Sequence, residues 1–259
     1  MTDALHAEWT KLRTVAGTWW LIAGVVGLTV AASAGIAAST HVSAGASGAG
    51  QDPTRLCLVG VDLGQAVIAV LAVLSVTEEY GTGMIRATLA ATPRRSVMLA
   101  AKAVNIAALV LVAGVPAVAG CLIVGHLLLP VAGLDPAHGY AVVSIAHEPT
   151  LRAAFGSVLY LGLIALLSLG IATIVRDTAV STGVVLGLLY LPPLLAQLVA
   201  GPWRRHIQQI APMTAGLAIQ ATRNIRSLPI SPWAGLGILA AWAAGMLVIG
   251  LVVLTARDA

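Results

Sequence analysis

The chain has 259 residues, 59% of them hydrophobic and 9% charged, with a net charge of +4. Ordinary soluble domains carry roughly 25% charged residues, so this composition excludes a soluble globular fold and marks a polytopic membrane protein. The basic residues sit between apolar runs rather than in one patch, which reads as membrane topology and not as a nucleic-acid footprint.

Residues 3 to 16 come first. Leu5, Trp9, Leu12 and Ala16 recur at spacings of four, three and four, with Asp3, Glu8, Lys11 and Arg13 on other faces. That pattern predicts an amphipathic helix along the inner membrane surface; a charged leader that only orients the first span is the plainer alternative. Six apolar runs follow, at 18–38, 56–77, 99–125, 152–175, 179–200 and 233–254. Each reaches the roughly 20 residues that cross a bilayer as a helix. They are continuous rather than alternating, which favours a helical bundle over a barrel. The expected fold is all-α, one transmembrane domain of six spans over residues 1–259.

Several features punctuate these runs. Ser43, Gly45, Ser47, Gly48 and Gly50 make 39–55 a flexible loop in expectation. Pro116 is expected to kink or tilt the third span, and Pro192-Pro193 to break or sharply bend the fifth. Arg176-Asp177 reads as a tight turn between the fourth and fifth. Trp19, Trp20, Trp203 and Trp233 suit interfacial anchoring.

Basic residues favour the cytoplasmic side. With both termini inside, that side holds Lys11, Arg13, Arg86, Arg94, Arg95, Lys102, Arg176 and Arg257. The other side holds Arg55, Arg152, Arg204, Arg205, Arg223 and Arg226, the last four in the final loop at 201–232. The expected location is a plasma membrane with cytoplasmic termini, and twelve Arg against two Lys, with abundant Ala, Gly and Val, hint at a bacterial source.

Polar groups inside spans are costly and count as functional candidates. Asp62 and Gln65 in the second run are candidates for a pathway or proton route, or Asp62 pairs with Arg55 or Arg152. Asn105 in the third lines a cavity or bonds a neighbour. Gly60-x3-Gly64 and Gly183-x3-Gly187 allow close helix approach, read first as packing within the chain and second as a subunit interface. Cys57 and Cys121 read as packing residues, and the six histidines form no metal pattern. No Walker A, Gly-x-Ser-x-Gly or zinc motif is present. No catalytic residue, metal or cofactor is therefore assigned to this chain, and no enzymatic activity is expected of it.

Between the second and third runs lies a charged island, Glu78, Glu79, Tyr80, Gly81, Thr82, Gly83, Met84, Ile85 and Arg86, closing with Pro93, Arg94 and Arg95. Thr82 is expected to cap a short helix, Ile85 and Leu89 share a face at i, i+4, and Pro93 marks its end. Its acidic start and basic finish suit a helix dipole and offer both charge signs to a partner. A solvated loop whose arginines only enforce topology fits the same spacing.

The order Glu79, Tyr80, Gly83, Ile85, Arg86, Leu89, Pro93, Arg94 and Lys102 resembles the Glu-Tyr-x-x-Gly-Thr-x-Arg…Leu…Pro-x-Arg…Lys segment of type-2 ABC exporter permeases, with Met84 where that family has Thr. Glu8, Trp9, Lys11, Leu12 and Arg13 are similar to its leading segment, and Arg257-Asp258-Ala259 to a common ending. The resemblance implies a permease subunit forming half of a dimeric pathway with a second copy of itself or a related permease, in membrane lipid. It also implies a separate ABC ATPase subunit that binds ATP and Mg. Glu79, Tyr80, Gly83, Arg86, Leu89, Pro93 and Arg94 would then form the coupling helix that docks on the ATPase, and 201–232 would fold as re-entrant extracytoplasmic helices. The competing readings are an ion-coupled transporter or scaffold using Asp62, and a membrane-embedded enzyme.

Overall fold

Continuous apolar sequence leaves the backbone no water to bond with, so it closes its hydrogen bonds internally as helices. A computed structural model describes residues 16–40, 51–85, 94–134 and 147–256, and among these the regular structure is all helical. Six helices are long and apolar enough to cross a membrane, by length and composition. They are α1 (Ala16–Ser39), α3 (Val61–Gly81), α4 (Arg95–Leu128), α5 (Glu148–Val175), α6 (Thr178–Leu198) and α9 (Pro232–Ala256). Among the described residues three short α-helices intervene, α2 (Pro53–Cys57), α7 (Pro202–Ile210) and α8 (Pro212–Leu217), with 3-10 turns at Ala218–Gln220 and Ile225–Ser227. The chain thus has the architecture of a multi-pass membrane protein.

Helix α5 is the hub. It packs against α3, α4, α6 and α9, and 67% of its most apolar window is buried, against 22% for each of α1, α6 and α9. Its burial rests on Tyr160, Leu161, Ile164, Leu167 and Leu169, all fully covered. Glycine sets two of the contacts. A Cβ on Gly170 would lie 2.7 Å from the Met246 carbonyl carbon of α9, and one on Gly60 would strike the Thr29 carbonyl of α1. Helix α1 lies against α3 and α4, where Thr29 and Ser33 meet Gly64 and Gly60. As α1 advances from 29 to 33 its neighbour runs back from 64 to 60, so the two are antiparallel. Contacts between Arg95 and Leu254 and between Thr77 and Thr178 put the start of α4, the end of α9, the end of α3 and the start of α6 at one end of the bundle. The start of α1 therefore shares that end.

Several expectations need correction. The second run does not form one helix from 56: Asp52 caps α2, accepting from Arg55 N at 3.3 Å with Pro53 in the first turn, and a turn at 58–60 separates it from α3. The polar cap and the proline, both strong helix starters, override the apolar continuity. Part of the expected 39–55 loop is thus helical; 41–50 lie outside the described residues. Pro192-Pro193 do not break α6, which continues to Leu198. Helix α4 runs through Pro116 without interruption; its 34 residues span about 51 Å, longer than the roughly 30 Å hydrocarbon core. The expected tight turn is present: Arg176 closes α5 with φ 66°, and Asp177 caps α6 by accepting from Val180 N at 2.8 Å. Residues 3–15 of the expected amphipathic helix lie outside the described residues.

Candidate functional site

Helix α3 delivers the chain to the charged island. It stops because Gly83 takes φ +72°, a left-handed conformation that costs glycine no Cβ clash. The Thr82 amide and hydroxyl both bond the Glu78 carbonyl, at 3.0 and 2.7 Å. Thr82 therefore closes α3 instead of opening the next helix, because the two bonds satisfy a carbonyl left over at the helix end. Met84 and Ile85 are helical again. Arg86, Leu89 and Pro93 lie outside the described residues, while Arg94 is exposed and leads into α4.

The two acidic residues of the island diverge. Glu78 is exposed, whereas Glu79 turns inward and its Oε1 lies 2.7 Å from Lys102 Nζ of α4, the side chains 9% and 2% exposed. Lys102 also donates to the Ser75 carbonyl at 3.2 Å. A charge this buried is tolerated because its counter-charge is buried with it. Glu79, expected as a surface contact for a partner, is in this arrangement an internal strut between α3 and α4.

Neighbouring contacts extend the strut to the other spans. The Arg176 guanidinium sits 5.1 Å from the centre of the Tyr80 ring, joining α5 to α3 through a cation–π contact. Thr178 Oγ1 donates to Thr77 Oγ1 at 2.8 Å, joining α6 to α3. Arg95 Nη1 donates to the Leu254 carbonyl and, at 3.3 Å, to that of Thr255, so a cation from α4 caps the last turn of α9. Ile85, Met98 and Leu254 close a small apolar cluster against Tyr80. The described part of the island is thereby fixed, directly or through α3 and α4, to α4, α5, α6 and α9.

Asp62 and Gln65 lie at the far end of α3, Asp62 seventeen residues from Glu79 and about 25 Å along the helix. Asp62 makes neither expected ion pair among the described residues. Arg152 instead donates through Nη2 to the Ala221 carbonyl, and Asp62 Oδ1 is buried without a hydrogen-bond partner. The Asp62 carbonyl accepts from the Tyr190 hydroxyl and from Gln65 Nε2 at 3.1 Å. Gln65 is fully buried, accepts from the Tyr160 hydroxyl and meets Met213 Sδ at 3.3 Å. Asp62 and Gln65 thus belong to one polar node joining α3, α5, α6 and α8. Asn105 is buried in α4, one turn past Lys102.

The two glycine pairs part company. Gly60 and Gly64 seat Thr29, as expected of intramolecular packing. Gly183 faces open space and Gly187 meets only Leu191 of its own helix, so among the described residues the packing expected of that pair is absent. Their side of α6 is turned away from the bundle, which sequence spacing alone does not report. Sequence reading also passed over Tyr160, Tyr190, Arg95 and Arg176 as partners. For the tyrosines a signal existed, since a phenol inside an apolar span needs a hydrogen-bond partner.

Comparison with known proteins assigns the chain to no group: no protein-family model matches it, and no curated protein matches it.

Proposed function

We propose that this chain is the membrane-spanning permease subunit of an ATP-driven exporter of the type-2 ABC class, pairing with a second permease and driven by a separate ATPase that binds ATP and Mg. The observation that carries the reading is the anchoring of the charged island. Glu79 reaches α4, Tyr80 meets α5, and Arg95 grips the end of α9. Work from a soluble motor reaches a membrane pathway only through a contact whose free energy differs between two conformations. Flanks held in this way pass a push delivered between them into α3, α4, α5 and α9. Arg86, with Tyr80, Gly83, Leu89, Pro93 and Arg94, forms the docking surface in this reading, and Glu79 positions it through Lys102.

The island end faces the cytoplasm in this proposal, and α7 and α8 fold back into the opposite side of the bilayer. Two contacts support that fold-back. Trp242, ten residues into α9, donates to the Ile210 carbonyl at 2.9 Å, and Gly216 of α8 sits against the Tyr160 ring, twelve residues into α5. A cysteine placed at exposed Ser227 should react with an impermeant thiol reagent only from outside, and labelling only from the cytoplasm overturns the orientation. Cys57 and Cys121 are buried and leave a low background.

Reconstitution with the ATPase tests the function. At matched insertion, R86A should lower transport and substrate-stimulated ATP hydrolysis together. Wild-type transport by R86A and E79A alike would remove the coupling role. The buried Asp62 Oδ1 favours a second reading, an ion-coupled transporter. Uptake or efflux by the chain alone under an ion gradient, lost in D62N, would select it.

A further inference from the structure

We infer that α7 is a lipid-headgroup site that selects anionic phospholipid in the leaflet opposite the charged island. The inference needs only that the six long helices span a bilayer and is independent of any ATPase. Helix α7 reads Pro202-Trp-Arg-Arg-His-Ile-Gln-Gln-Ile210, and none of its residues is buried. Trp203, Ile207 and Ile210 fall on one face at i, i+4 and i+7, and Trp203 and Ile210 stay 70% and 57% exposed. Arg204, Arg205 and Gln208 lie off that face, and both arginines are exposed. The described residues supply no carboxylate within 4 Å of either guanidinium, which leaves both forks open to an external anion.

Continuity with the apolar belt fixes the kind of partner. Helix α6 runs directly into α7 through Gly201 at φ +74°, and its last turns expose Leu191, Leu194, Leu195 and Leu198. In water such a surface is unfavourable, whereas against acyl chains it is at home. Trp203 carries that belt into α7, and Trp233, 55% exposed at the start of α9, marks the same end of the bundle. Tryptophan favours the headgroup boundary, so the arginine turn beside Trp203 sits at that level while Ile210 reaches inward to Trp242. Gln209 Nε2 donates to the Pro229 carbonyl at 2.7 Å and Trp242 holds the Ile210 carbonyl, so α7 is pinned at its far end while its arginine end meets the headgroups. A guanidinium binds phosphate through paired N–H donors. Two exposed arginines on consecutive residues favour a headgroup with a net negative charge over one whose phosphate is neutralised by choline.

Thermal unfolding of the purified full chain in detergent, titrated with phosphatidylglycerol or with phosphatidylcholine, tests this without any variant. Phosphatidylglycerol should raise the midpoint at lower concentration than phosphatidylcholine, and equal effects of the two lipids overturn the inference. The R204Q/R205Q protein should lose about thirtyfold of that preference, from roughly a fivefold contribution per basic residue at a membrane surface. R204K/R205K should retain most of the charge-dependent part and lose the paired-bond part. An unchanged preference in R204Q/R205Q, or equal competition by inorganic phosphate at the same concentration, would show that the site is elsewhere or takes a free anion. Should R204Q/R205Q fail to fold, the lysine pair and the two-lipid comparison on the unaltered chain still decide the matter.

Discussion

The two ends of the bundle are joined by different sets of polar contacts. At the island end, polar contacts join spanning helices to each other directly: Glu79 to Lys102, Thr77 to Thr178, Arg95 to the last carbonyls of α9. At the other end, the direct ties of Tyr160 and Tyr190 to α3 are supplemented by inserted pieces. Asp52 of the α2 cap receives the Arg223 amide at 3.0 Å and the Thr222 hydroxyl at 2.6 Å, and Met213 of α8 meets Gln65. The island end joins spans without an intermediary, whereas the far end adds short helices between them.

The sharpest way to break this comparison is K102M. Leaving the Glu79 charge buried without its lysine should cost about 3–5 kcal/mol, read as a lower SDS fraction at half-unfolding in mixed micelles. E79Q/K102M should recover much of that loss, and a K102M protein as stable as wild type would show that the tie carries no load. D52A at the opposite end should cost less, about 1–3 kcal/mol, since it removes hydrogen bonds to Thr222 and Arg223 and a helix cap. If D52A proves the more damaging, the ranking of the two ends is reversed.

Glycine substitutions sharpen the picture at smaller amplitude. G60A drives a methyl into the Thr29 carbonyl and should cost about 1–3 kcal/mol, measured by the same unfolding assay. G183A meets open space inside a helix and should be neutral or stabilise by up to about 1 kcal/mol. A destabilised G183A would mean that the exposed side of α6 is packed against something outside this chain, such as a second copy of it.

Much of the architecture was legible because it depends on local quantities. Run length and apolarity located all six spanning helices to within a few residues except where Asp52-Pro53 started a separate helix. Arg176-Asp177 was readable as a turn because a left-handed residue and a side-chain cap act within four positions. The candidate site was legible only in outline. Glu79, Gly83 and Arg94 stood out as polar punctuation between spans, yet the direction in which Glu79 points depends on where α4 sits. Pro192-Pro193 do not end α6, and local propensity alone does not report that outcome.

The sequence by itself determined that this protein is a helical bundle of membrane-spanning length with a charged break between its second and third long helices, because burial of apolar runs and internal backbone bonding leave no other solution. Tertiary structure alone decided which polar residues became partners. Glu79 and Lys102 are 23 positions apart, Gln65 and Tyr160 are 95, and Asp52 and Thr222 are 170. No local rule links positions so distant. Close packing at Gly60, Gly64 and Gly170 sets how near the helices come, and that distance decides whether each buried polar group finds its counterpart.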